Sequence, residues 1–385
     1  AERHALTLLT FASNPLPGDD PLATACRRVV SVPVPERSQG DRLRTLLTTG
    51  DPDMAHRLRS PAFSEALRAL LSEERYDIVQ VEGIELAPYA LEVAEWLGEE
   101  RPRIVFDDHN VEYLLQRRAV TTDLGRPERW PFALYSVAQW RRLLRLEQRV
   151  CRLADAVLVV SEEDGIALRR PMPSLNPVVI PNGLDTDAYR LPAAATMEMA
   201  HPAVLFTGKM DYRPNVDAML WFHAEVWPLV REAEPGAHLY VVGQSPHARL
   251  RPLGEDASVT VTGYVPDTMP YFRGADLYVA PFRMGGGTRL KILQALAAEL
   301  PLVTTTPGAE GIALVDAVHA RIADGAADVA GALVRLWRDR AEARRLAAAG
   351  REFVVNRYDW RAIIPQLEAV YAGLCRRLPP HPCAV

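Results

Sequence analysis

The sequence predicts an α/β protein of two doubly wound, Rossmann-like units with a ligand cleft between them. Three observations carry this. Short runs rich in β-branched residues alternate with longer stretches of helical period, and the runs are apolar nearly throughout, as parallel strands covered on both faces must be. The alternation restarts near residue 203, after the Pro/Ala-rich stretch LPAAATMEMAHP (191–202), which has no strand pattern and reads as a linker. A length of 385 residues, 48% hydrophobic and 24% charged, suits two ordinary domains. In such sheets ligands lie beyond the carboxyl ends of the strands, which places a site in the interdomain cleft.

Strands of the first half are expected at LTLLTFA (5–11), VVSVPV (29–34), DIVQVEG (77–83), RIVFDD (103–108), AVLVVS (156–161) and PVVIPN (177–182). Helical patterns lie between them near 61–74, 85–98, 111–119, 131–153 and 162–169. The second half places strands at AVLFTG (203–208), HLYVVG (238–243), SVTVTG (258–263), DLYVAP (276–281) and LVTTT (302–306). Its helices fall near 215–233, 247–253, 267–273, 288–298, 326–338 and 340–356, and a last helix near 361–377 follows RYDW (357–360). The domains are therefore 1–190 and 203–357, with 358–385 a C-terminal helix and tail crossing back to the first.

Composition excludes several classes. The formal charge is −5, from 44 basic and 49 acidic residues; residues 1–190 carry 24 and 29 of these and residues 191–385 carry 20 of each, which argues against general nucleic-acid binding. No apolar run approaches the roughly 18 residues of a membrane-spanning helix. Arg3 leads directly into an apolar strand pattern, so no secretory leader is expected. Cys26, Cys151, Cys375 and Cys383 are dispersed without a CxxC pair, which suggests neither zinc nor disulfides and fits a reducing cytoplasm. Among the 44 basic residues 42 are Arg, and the two lysines are Lys209 and Lys291. A compact ammonium and a planar guanidinium are not interchangeable at a tight anion site, so those two positions invite attention.

Both fall at glycine-bounded strand–helix junctions. PFRMGGGTRLKILQALA (281–297) follows a strand, holds three consecutive glycines and is expected to open a helix at Thr288. Free N–H groups at a helix start attract anions, and glycines let the backbone approach them. Arg289 and Lys291 in a first turn oppose the helix dipole unless an anion compensates, which favours a phosphate over a solvated turn. In LFTGKMDYRPNVDAMLWF (205–222), Lys209 follows the strand-terminal Gly208, as an anion ligand or as a surface lysine in a tight turn. The spacing is not the GxxxxGK[ST] of a nucleoside triphosphatase.

In the first domain FDDHNVEY (106–113) sets His109 just past a strand end, with Asp107 and Asp108 placed to orient its ring; a plain turn residue is the other reading. PNG (181–183) reads as a turn. No Ser-His-Asp spacing, HExxH or GxGxxG fingerprint supports a serine hydrolase, zinc hydrolase or dehydrogenase. WRRLLRLEQRVCR (140–152) is a basic amphipathic helix, suited to packing under the next strand with its Arg face in solvent or to lying on an anionic membrane.

Taken in order, FTGKMDYRPNVDAMLWF, VTGYVPD (261–267), GGGTRLKILQALA and TTTPGAEGI (304–312) resemble the family 4 glycosyltransferases of GT-B fold. DDHNVEY, VVSEED (159–164) and PNGLDTDAY (181–189) are similar to the same group, especially to bacterial members of exopolysaccharide synthesis. The resemblance implies a retaining, cytoplasmic transferase that moves a sugar from a nucleotide-diphospho-sugar to a glycan or lipid-linked acceptor, with no cofactor and no bound metal. Peripheral contact with the inner face of the membrane is compatible with it. The first domain would face the acceptor and the second would hold the donor. On that likeness Tyr264 and Val265 face the base, and Gly286, Gly287 and Thr288 cradle the diphosphate, while Gly208, Arg289 and Lys291 at the two junctions are further donor-binding candidates. Lys209 offsets charge on the leaving phosphate, and His109 approaches the donor sugar.

Three departures stand out. The family's E-x7-E pattern falls on Gly286 and Gln294, and a Gln amide offers ribose hydroxyls one acceptor oxygen and no charge. Glu299 stands where a glycine usually closes the helix in a left-handed conformation. ERHALTLLTFA resembles the family's second strand, so the opening strand, its glycine-rich loop and first helix are expected to be missing. Gln294 and the missing first strand favour one alternative, a catalytically impaired nucleotide-sugar-binding paralogue serving as a partner subunit; a nucleotide-sugar epimerase on the same fold is a further alternative that the motifs favour less.

Overall fold

Every ladder in the computed structural model is parallel. The structure describes residues 3–14, 17, 20–117, 130–190, 196–284 and 288–376. The chain divides into two compact units, residues 1–179 with 369–385, and residues 180–368.

In unit one a two-stranded sheet pairs β1 (Thr7–Phe11) with β2 (Arg28–Val32). A second sheet has the order β3 (Ile78–Glu82), β4 (Arg103–Asp108), β5 (Ala156–Val159), β6 (Val178–Val179). The apolar strand runs fill its core: Ile104, Val105 and Phe106 are fully buried. Helices α1 (Pro61–Glu73), α2 (Ala87–Leu97), α3 (Trp130–Leu153) and α4 (Glu162–Arg169) surround the strands. Phe63 of α1 stacks on Phe11 of β1 with ring centroids 4.4 Å apart and meets Tyr89 of α2 at 4.5 Å, so these helices reach the small sheet as well. The basic helix α3 packs as core: Leu143, Leu146, Val150 and Cys151 join the cluster of Ile104, Phe106 and Val157, while Arg141, Arg145, Arg149 and Arg152 stay exposed.

Among the described residues, unit two holds six strands in the order β12-β11-β10-β7-β8-β9. These are β7 (Ala203–Thr207), β8 (His238–Val242), β9 (Val259–Val261), β10 (Leu277–Ala280), β11 (Leu302–Thr304) and β12 (Arg321–Ile322). Successive connections run one way from β7 through β9 and then cross to β10 on β7's other side. The β7/β10 boundary is thus the point where strand order reverses, and the place a doubly wound sheet offers a ligand. Helices α5 (Arg213–Trp221), α6 (Leu290–Ala297), α7 (Ala326–Arg338) and α8 (Arg340–Tyr358) cover this sheet. Helix α9 (Trp360–Cys375) carries the chain back to unit one.

The structure differs from expectation at several ends. One helix was expected over 215–233, but α5 passes into a π-helical turn (Phe222–Val226) before a further helix (Trp227–Ala233). Pro228 has no N–H for the regular ladder, which accounts for the wider turn. PVVIPN supplies only Val178 and Val179 to a ladder. Short helices at Pro21–Ala25, Gln39–Thr48 and Asp53–Arg57 lack a long apolar period and went unforeseen. Residues 118 and 119 of the expected 111–119 helix, and 191–195 of the linker, lie outside the described residues. Among the described residues no helix is long and apolar enough to cross a membrane.

Candidate functional site

At the β7/β10 reversal the two lysine-bearing junctions converge. Gly208 directly follows β7, and a Cβ on it would stand 2.3 Å from the Lys291 Nζ, so the missing side chain is the space the ammonium occupies. Lys291 Nζ donates to Asn215 Oδ1 at 2.8 Å, and Asn215 Nδ2 donates to the Lys209 carbonyl at 2.8 Å. The rings of Phe206 and Phe282 lie 4.8 and 5.3 Å from the ammonium. Burial, with the Arg289 charge beside it, lowers the Lys291 pKa to about 7. A cation this poorly hydrated gains most from an anion, so the arrangement is suited to a phosphate.

The other expected donor residues take different positions. Lys209 is exposed, with its Nζ 3.4 Å from Asp211 Oδ2. The helix expected to open at Thr288 begins at Leu290, because Arg289 has ψ +89° and precedes the first turn. Arg289 is only 7% exposed; its guanidinium lies 4.4 Å over Phe282 and donates to the Pro307 carbonyl at 2.9 Å, so it packs inward rather than standing in solvent at the helix start. Thr288 Oγ1 is buried and has no hydrogen-bond partner among the described residues. Gly286 and Gly287 lie outside the described residues. Tyr264 is 73% exposed and Val265 packs against the unit-two core. Gln294, expected at ribose, lies beside Tyr189, whose hydroxyl pKa is raised by burial and lowered in part by the Gln294 amide.

In unit one His109 is exposed just beyond β4. Glu82 of β3 is the register partner of Asp107, and ligand atoms of Glu82, Asp107 and His109 lie within 4.8 Å of one another. Burial and the adjacent Glu82 raise Asp107 to about 7. The expectation that Asp108 helps orient His109 is corrected: successive strand side chains alternate in direction, and Asp108 points inward, 1% exposed. Burial and then Glu147 push its carboxyl well above the usual range, and both its oxygens lack hydrogen-bond partners among the described residues. Glu147 itself is raised to about 8 by burial.

Sequence reasoning passed over Asn215, Glu82 and Tyr189. Asn215 sat within a quoted motif, but only the fold shows that it links the two junctions. Glu82 was part of a strand run, and its pairing with Asp107 is a matter of register.

These features define a class, a two-unit GT-B protein with its cation site at the sheet reversal of the second unit. Residues 1–188 match the family described as Glycosyltransferase Family 4 and residues 201–339 the one described as Glycosyl transferases group 1. Among curated relatives it is similar to a phosphatidyl-myo-inositol mannosyltransferase of Mycobacterium leprae, 32% identical over 50% of this chain and 53% of the relative. It is also similar to a GDP-mannose-dependent alpha-(1-6)-phosphatidylinositol monomannoside mannosyltransferase of Mycobacterium tuberculosis, 27% identical over 61% and 66%. The alignments thus span between half and two thirds of those relatives' length. Among solved structures, sucrose-phosphate synthase from Thermosynechococcus elongatus superposes with a TM-score of 0.68 at 19% identity, over 97% of this chain and 89% of that one. Anabaena HepE in complex with UDP gives 0.61 at 16%, over 96% and 100%. At these identities the structures speak for the fold.

Proposed function

We propose that the chain transfers a sugar, with retention, from a nucleotide-diphospho-sugar held in unit two to a glycan or lipid-linked acceptor, with no metal at the diphosphate. The observation that carries the reading is the Lys291 ammonium, desolvated against Gly208 and tied to Asn215 where the strand order reverses. Lys209 stands at the same strand end with an exposed ammonium paired to Asp211, and exchanging that partner for a leaving phosphate is the role we assign it. The mannosyltransferase relatives are named for phosphatidylinositol lipids, which supports a lipid-linked acceptor. A place in exopolysaccharide or cell-surface glycan synthesis rests on the motif resemblance. The exposed arginines of α3 suit contact with the inner face of a membrane from the cytoplasm.

A panel of UDP-, GDP- and ADP-sugars tested for donor hydrolysis and transfer is the direct test, and turnover of one of them is expected. Lys291→Ala is expected to weaken nucleoside-diphosphate binding by about 10–100-fold while leaving nucleoside binding nearly unchanged. Equal losses for both ligands would remove Lys291 from the phosphate. A second reading, nucleotide-sugar binding without turnover in a partner subunit, is favoured by one observation, the Gln294 amide at the position where the resemblance expects a ribose-binding carboxylate. Binding without hydrolysis across the panel is its signature.

A further inference from the structure

Unit one contains a set of side chains that sugar transfer from a metal-free donor site does not require. Glu82 and Asp107 face each other across the β3–β4 ladder, and neither forms an ion pair with Lys or Arg among the described residues. Their neighbours Glu85 and Glu112 add further carboxyls, and Arg57, 3.8 Å from Glu85, is the cation reaching that pair. Two carboxylates side by side without a counter-cation repel each other, which favours a cation between them.

We infer that Glu82, Asp107 and His109 form a binding site for a divalent cation of the zinc or manganese kind. The donor set is mixed, two carboxylate oxygens and one imidazole nitrogen, contributed from the end of β3, the end of β4 and the turn after it. That chemistry suits Zn²⁺ and Mn²⁺ better than a purely oxygen-seeking ion. Glu82 and His109 are exposed, which leaves coordination positions open to water. The set is also supported from behind. Gln80 Nε2 donates to Glu82 Oε1 at 2.6 Å, and the Tyr371 hydroxyl donates to Gln80 Oε1, so a chain from α9 orients the Glu82 carboxylate. Gly83, with φ +79°, lets the imidazole lie close: a Cβ there would be 2.7 Å from His109 Cε1. Such a site departs from the expectation of a chain without metal.

The test is calorimetric titration of the full chain with Zn²⁺ and, separately, Mn²⁺, in the absence of donor and acceptor, so that its outcome is independent of any transferase activity. Glu82→Gln and His109→Ala, each checked by thermal unfolding for a native fold, are expected to lower affinity at least tenfold. In the unsubstituted chain, substoichiometric Mn²⁺ is expected to broaden the His109 imidazole resonances first. Unchanged affinity in both variants, or broadening that spares His109 while other histidines respond, would overturn the site.

Discussion

Glu299 ends α6 with φ +58°, a left-handed conformation that costs a side-chain-bearing residue about 1–2 kcal/mol. Glycine adopts it without that cost but loses more freedom on folding, by roughly 0.5–1 kcal/mol. Glu299→Gly is therefore expected to stabilise the protein by about 0.5–1 kcal/mol, read as a shift in the urea midpoint at constant slope. At Lys291 the relevant quantity is protonation. Its folded pKa lies near 7, well below the free value, so the amine is largely neutral at pH 8 until an anion arrives. Binding of a nucleoside diphosphate should then take up a proton, and affinity should fall as pH rises from about 7 to 9. Calorimetry in buffers of different ionisation enthalpy measures that uptake, and its absence would mean that the ammonium does not meet the phosphates.

At the scale of elements, the site depends on how closely strand ends approach. Gly243, at the end of β8, has φ +151°, and a Cβ there would stand 1.7 Å from the Gly208 carbonyl oxygen. Gly243→Ala must push β7 and β8 apart at the point where Gly208 makes room for Lys291. A loss of at least about 2 kcal/mol of unfolding free energy is expected, with weakened nucleoside-diphosphate binding. A variant with full stability and affinity would show that the strand ends can part freely. Helix α6 illustrates why the glycine-rich junction was only half legible. The pattern of GGGTRLKILQALA announces a helix start, yet nothing in the spacing distinguishes Arg289, which packs on Phe282, from Lys291, whose ammonium sits at Gly208.

Across unit two, segments far apart in sequence are clasped by one carboxylate. Buried Asp359 accepts from the Thr186 backbone and hydroxyl and from the Arg361 backbone and guanidinium. The Arg361 hydrogen bond, ahead of those from Thr186, holds its pKa far below the usual carboxylate range. A depressed carboxylate contributes stability that is complete above its unfolded pKa, near 4, and is lost progressively as pH falls below it. Asp359→Asn should cost on the order of 1–3 kcal/mol at pH 7 and flatten the acid limb of the stability curve. A curve that keeps its slope below pH 4 would assign the acid sensitivity elsewhere.

Some of this was written along the chain. Apolar strand runs, their restart at residue 203 and the glycine-bounded junctions determine two parallel-sheet units, because a buried parallel strand must be apolar on both faces and a tight strand–helix turn needs glycine. The strand at 103–108 was legible too, although Asp108, expected to orient His109, has its side chain in the interior. The order of the six strands was not legible, and it is that order which sets Gly208 beside Lys291 across 83 positions of sequence. The pairing of Glu82 with Asp107 likewise follows from register. Sequence patterning records which face of an element avoids water; which elements become neighbours depends on the packing of all of them together, and only the tertiary structure decides that.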